Sequence, residues 1–276
     1  MRLALCNEVI QQLDFARQCE FAAALGYEGL EVAPMTLSEE PHLLPAIERR
    51  RIRRAAADAG IAIASLHWLL VKPGGLSITS ADGAVRARTL DVMRGLVDLA
   101  GELGAGIMVH GSPVQRRLPE GAEAVAARER GLDAFRSIAE QAEHLGIVYC
   151  IEPLSRDQTN FITTLAEAAQ IVRDLASPAI RTMIDCSSAG RGERESVAAL
   201  IDRWLPTGLV AHVQVNDRNR RGPGQGEDRF APILAALRRH NYSGWVAVEP
   251  FDYVPDGPAA AARAAGYLRG IMEAQA

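Results

Sequence analysis

Eight short apolar runs, separated by longer amphipathic stretches, set the strongest limit on how this chain can fold. The runs are RLALC (2–6), YEGLEV (27–32), IAIASLH (61–67), GIMVH (106–110), IVYCIE (147–152), IRTMID (180–185), LVAHVQV (209–215) and WVAVE (245–249). Strand-length apolar runs that alternate with helical periodicity predict a parallel sheet covered by helices. Two of the helical stretches, FARQCEFAAALG and LDVMRGLVDLAGELG, end at a Gly where a helix C-cap is expected. No GxGxxG follows the first run, and eight strand-then-helix units in 276 residues match a closed (β/α)8 TIM barrel better than an open doubly wound sheet. No compositional break marks a linker, so residues 1–276 are expected to form a single α/β domain.

Composition narrows the function. A formal net charge of -4 gives no general attraction to nucleic acid, which needs a basic face, and the run ERRRIRR at 48–54 reads as a solvated helix face. The N-terminal MRLALCNEV has too short an apolar run for a signal peptide or a membrane span, so a cytoplasmic protein that binds no membrane is expected. Cys6, Cys19, Cys150 and Cys186 form no CxxC pair and read as reduced, buried thiols. Lys72 is the only lysine, so Schiff-base chemistry would rest on one loop residue. Activation of a carbonyl would then need a metal.

The acidic residues offer a place to hold one. Glu152 ends the fifth run, Asp185 the sixth and Glu249 the eighth, with Gln214 near the end of the seventh. C-terminal strand ends of a barrel converge on one mouth, where the active sites of this fold lie. Three carboxylates crowded there repel one another unless a cation sits between them. Each alone would read as a helix cap. Four oxygen-bearing side chains in succession, with Pro after both glutamates, point to a divalent ion. The oxygen-rich set favours Mn²⁺ or Mg²⁺ and leaves Co²⁺ and Zn²⁺ open.

The motifs CIEPLSRDQTNF, MIDCS, AHVQVNDRNRRGPGQG and VAVEPF, with LGYEGLEV and VHGSP, resemble the xylose isomerase-like sugar isomerases and epimerases, nearest to the ketose 3-epimerases and hydroxypyruvate isomerases. The resemblance implies a metal held by Glu152, Asp185, Gln214 and Glu249. It also implies that Glu152 and Glu249 act as an acid–base pair across an enediolate, one removing and the other returning a proton beside the carbonyl. Arg220 matches the family's substrate-contacting arginine. Gln214 stands where ketose 3-epimerases carry His and hydroxypyruvate isomerases tend to carry Gln. Ser188 and Gln158 occupy substrate-binding positions where the epimerases have His and Glu, and both changes weaken the case for a free ketose.

Further expectations concern the histidines. His67 and His110 end strands and are expected to reach the substrate, and His212 is expected to support Gln214 from behind. The whole reads as a metal-dependent isomerase or epimerase of a small sugar or hydroxy-ketone. A homodimer or higher homo-oligomer fits the exposed faces of such a barrel. Two other readings remain: a dehydratase using the same site, and a non-catalytic sugar-binding barrel. A nuclease of the apurinic-site type would need more histidines at strand ends and a less acidic chain.

Overall fold

The computed structural model describes residues 1–275 and closes the eight runs into one barrel. The strands are β1 Arg2–Cys6, β2 Gly29–Val32, β3 Ala62–Leu66, β4 Ile107–His110, β5 Val148–Ile151, β6 Ile180–Asp185, β7 Val210–Val215 and β8 Trp245–Val248. Each pairs in parallel with its sequence neighbour, and β1 closes on β8. The expected fold is therefore observed. Strand edges differ by a residue or two, so Glu152, His67 and Glu249 stand one residue past their strands at the mouth.

Local sequence explains the helices that brace the barrel. Asp82, Thr164, Ser196 and Asp256 each accept a backbone N–H with the side chain at a helix start. The long helix Gly83–Leu103 ends at Gly104, whose positive φ of 78° allows the left-handed cap expected of a Gly there. Alternation along the strands divides the core in two. Val109, Cys150 and Met183 form a small cluster of their own inside the barrel, while the larger core packs strands against helices. All four cysteines are free and buried, as the sequence indicates. The helix Ala46–Asp58 carries its arginine run largely in solvent, and exposed Lys72 pairs with Glu39 at 2.6 Å. Among the described residues, no helix is long and apolar enough to cross a membrane.

Candidate active site

The barrel mouth opens into a cavity of about 250 Å³, lined on its polar side by His67, Glu152, Asp157, Gln158, Arg220 and Glu249. Glu152, Asp185 and Glu249 each offer an oxygen within 4.8 Å of the others. All three are buried. Burial first, and then the charges of Glu249 and Asp185, push the Glu152 carboxyl well above its usual range. Burial likewise raises Glu249 to about 8, with Asp185 and Glu8 adding to it against the opposing effect of His67. Asp185 is raised chiefly by burial, although hydrogen bonds from Ser188 and Asn216 resist the change. Carboxylates kept this close and this dry hold protons or a cation.

Two further observations test whether a metal fits. Glu249 Oε2 and Gln214 Oε1 are buried and have no hydrogen-bond partner. Buried acceptors left unpaired are costly, and a hard divalent cation would satisfy both. The Gln214 amide is oriented for this, because its Nε2 donates to Glu31 Oε1 at 2.6 Å and so directs the oxygen elsewhere. Gln214 also lies beside Asp185 in the strand register. The donor set is oxygen-rich, as the metal reading requires.

Beneath the mouth lies a polar hub that sequence reasoning missed. Glu31 on β2 is fully buried and takes bonds from Cys6 at 3.2 Å, from Gln214 and from Ser65. His212 Nε2 stands 2.7 Å from Glu31 Oε2. Burial alone would raise the Glu31 pKa, but His212 and His67 outweigh it and hold the carboxyl well below the usual range. His212 and Gln214 thus meet the same carboxylate, Glu31, rather than each other. The signal available in sequence was a lone acid in the otherwise apolar strand GLEV.

His67 lines the cavity, and its ring is held at both ends. Nδ1 lies 3.0 Å from Glu249 Oε1, and Nε2 lies 3.0 Å from Glu8 Oε2. Burial opposes a charge on this ring, yet Glu8 and Glu31 outweigh burial and raise its pKa well above the usual histidine value. One Glu249 oxygen is thereby fixed by His67 while the other stays free. Glu8, in the short 3-10 turn Asn7–Ile10 after β1, gave no sequence signal. Asn216 is a further addition: its Nδ2 donates to Asp185 Oδ2 at 2.7 Å and to the Glu249 carbonyl at 3.0 Å.

The remaining candidates divide. Gln158 lines the cavity and accepts from Ser188 Oγ at 3.3 Å, while the Ser188 backbone N–H donates to Asp185 Oδ1 at 2.7 Å. Arg220 lines the cavity from a left-handed backbone (φ 70°), its guanidinium 4.9 Å from the Phe251 ring centre. Its carbonyl accepts from the Phe251 and Asp252 amides at 2.8 and 2.9 Å, which ties the β7 loop to the β8 loop. His110 corrects the expectation of a substrate contact. It points away from the barrel interior, 2.6 Å from Tyr149 Oη, and packs edge to face on Phe135 of the helix Glu123–His144. Strand parity explains this, because its neighbour Val109 takes the inward position.

A closed parallel barrel whose mouth gathers carboxylates from the ends of its fifth, sixth and eighth strands defines a (β/α)8 enzyme with a cation-ready acidic site. The chain belongs to the xylose isomerase-like TIM barrel family, whose pattern matches residues 19–271. D-psicose 3-epimerase of Agrobacterium fabrum is 29% identical over 242 residues, covering 86% of this chain and 79% of that protein. A 3-dehydroshikimate dehydratase of Pseudomonas putida is 27% identical over 251 residues, covering 84% of this chain but 35% of that protein. The crystal structure of a D-psicose 3-epimerase in the presence of D-fructose superposes with a TM-score of 0.83 at 24% identity, covering 98% of this chain and 99% of that one. That likeness shows a shared fold. Sugar epimerases recur among the relatives, which places the chain with isomerase- and epimerase-type enzymes.

Proposed function

We propose that this protein is a metal-dependent epimerase or isomerase of a sugar or small hydroxy-ketone, with Glu152 and Glu249 as the proton-transfer pair. The observation that carries the reading is that these two buried glutamates line one cavity from strands that are not neighbours. A carboxylate held beside the carbon next to a carbonyl can take its proton, and a carboxyl on the other side can return one. Proton removal from the carbon beside a carbonyl by one glutamate, and return by the other to the opposite face, inverts that carbon. Sugar epimerases among the relatives support the substrate class.

Glu152, Asp185, Gln214 and Glu249 would hold the cation, which supplies positive charge beside the carbonyl and hydroxyl oxygens. Mn²⁺ or Mg²⁺ suits these oxygen donors best. Arg220, Gln158 and Ser188 are assigned to the substrate's hydroxyl groups, and His67 to the orientation of Glu249. The acidic lining leaves little attraction for a nucleic-acid backbone.

Solvent exchange tests the reading. In D₂O with Mn²⁺ supplied, the protein should place deuterium beside the carbonyl of a keto-sugar, and Glu152→Gln and Glu249→Gln should each cut turnover by orders of magnitude with the fold intact. A variant that kept the wild-type rate would remove its glutamate from proton transfer. Elimination is the second reading, favoured by the dehydratase relative, since the same proton removal can expel a β-hydroxyl. Loss of water from the product would identify it.

A further inference from the structure

Arg116 is fully buried, yet its guanidinium turns to backbone carbonyls rather than to a carboxylate. Nη1 donates to the His110 carbonyl at 3.2 Å and Nη2 to the Ile162 carbonyl at 3.5 Å, while Nε has no partner. Burial lowers the guanidinium pKa to about 10, with Glu152 and then Glu167 opposing, so the charge persists at neutral pH. Taking a charge out of water has a cost that bonds to neutral carbonyls offset only in part. An arginine kept here under that cost has a task besides packing.

The two carbonyls show what it is. That of His110 also accepts the Glu152 N–H at 3.2 Å, and that of Ile162 also accepts the Leu154 N–H at 3.1 Å. Pro153, between these two amides, has no N–H to give. A carbonyl oxygen has two lone pairs, so each can take an amide and an arginine N–H together. The planar fork of one guanidinium thus grips both acceptors that hold the chain as it leaves β5. Ile162 meets the fork from a left-handed backbone, φ 63°, which is strained for a β-branched residue and persists only where neighbours hold it.

The Leu154–Ile162 bond closes the neck of a loop whose tip carries Asp157 and Gln158 to the cavity. That tip has fastenings of its own. The Asn160 side chain accepts from the Leu118 N–H and donates to the Leu118 carbonyl, both at 2.9 Å, and Arg117 Nη2 donates to the Gln158 carbonyl at 2.9 Å. Arg116 therefore acts on the neck, next to Glu152, and leaves the tip to others.

Resting on the epimerase reading, we propose that Arg116 is a positioning residue: by joining the His110 and Ile162 carbonyls it fixes the backbone of residues 152–154 and so sets where the Glu152 carboxylate stands in the cavity. Proton transfer tolerates little misplacement of the group that performs it. Substrate contacts from Gln158 and Arg220 do not pass through this neck. Loss of the fork therefore acts on kcat, and on cation affinity through Glu152, more than on KM.

The experiment follows deuterium exchange into D-fructose as probe in D₂O with Mn²⁺, and Mn²⁺ binding by titration calorimetry, in wild type, Arg116→Met, Arg116→Lys and Asn160→Ala. Arg116→Met should stay folded, since each carbonyl keeps its amide, but should lower kcat and Mn²⁺ affinity by about tenfold each with KM nearly unchanged. Arg116→Lys keeps the charge without the fork and should recover part of both. Asn160→Ala frees the tip instead and should raise KM more than it lowers kcat. Wild-type kcat and Mn²⁺ affinity in Arg116→Met overturn the proposal, as does a loss confined to KM. If Arg116→Met does not fold, Arg116→Lys decides: a lower kcat at unchanged KM supports the fork, and wild-type values overturn it. If wild type exchanges no deuterium, the epimerase reading fails for D-fructose, while weakened Mn²⁺ binding in Arg116→Met still supports the placement of Glu152 and unaltered binding overturns it.

Discussion

Gly111 borders Glu152 so closely that a single methyl group at position 111 would overlap Glu152 Oε2. The missing side chain leaves the carboxylate its place at the mouth. Gly111→Ala should displace Glu152 and cut turnover by roughly a hundredfold, because misplacing a catalytic group by an ångström has that order of effect. Circular dichroism and the thermal midpoint should change little. Wild-type turnover in this variant would show that the position of Glu152 is not critical.

Gln214 should tune the metal without moving protons. Gln214→Ala should lose activity that excess Mn²⁺ partly restores, and Gln214→His should bind Co²⁺ or Zn²⁺ relatively better than the parent, since imidazole is a softer donor than an amide oxygen. Titration calorimetry with each metal reads both effects. Unaltered affinity in Gln214→Ala would mean that Oε1 faces no ion.

Glu8 holds the far side of the ring that fixes Glu249. Glu8→Ala should lower kcat by about tenfold with KM nearly unchanged, an effect typical of lost support behind a reacting group. Glu8→Gln retains an oxygen for His67 Nε2 and should recover part of the rate. A Glu8→Ala enzyme with normal kcat would reduce the contact to packing.

The Glu31 hub should matter to stability as much as to activity. Glu31→Leu leaves Gln214, Ser65 and His212 without their buried partner, at a cost of about 3–5 kcal/mol. Urea unfolding measures it. A loss under about 1 kcal/mol would show that the barrel floor re-pairs without a charge.

His110 gives a pH signature. Burial, with a smaller effect from Arg116, lowers its pKa from 6.5 to about 3, so the fold holds it neutral. The folded value lies below the unfolded one, so this contribution is present in full above about pH 6.5 and is lost as pH falls toward 3. The stability gap between wild type and His110→Phe should therefore shift against wild type by roughly 2 kcal/mol between pH 7 and pH 5. A constant gap would show that His110 titrates normally.

The barrel was legible because parallel strands buried on both faces read as apolar runs, and closure follows from their number. Glu152, Asp185 and Glu249 were legible because strand ends fix height on the barrel. Height does not fix direction, and His110 shows the difference: it shares the level of the mouth but faces the helices. Parity with Val109 would have separated the two. Glu31 was hidden for another reason, since its partners lie on β1, β3 and β7 and meet only when the sheet closes. Arg116 was hidden because the backbone carbonyls it joins leave no mark in a pattern of side chains.

Counting strands gives the barrel a stereochemical meaning. Two strands, β6 and β7, stand between the strands that precede Glu152 and Glu249, so the glutamates approach the cavity from separate arcs of its rim. Under the proposed chemistry, a flat intermediate between them is addressed from both sides, and the handedness of the carbon is reversed rather than restored. Under that chemistry, the strands that carry the two acids set the arcs of the rim from which the intermediate is reached.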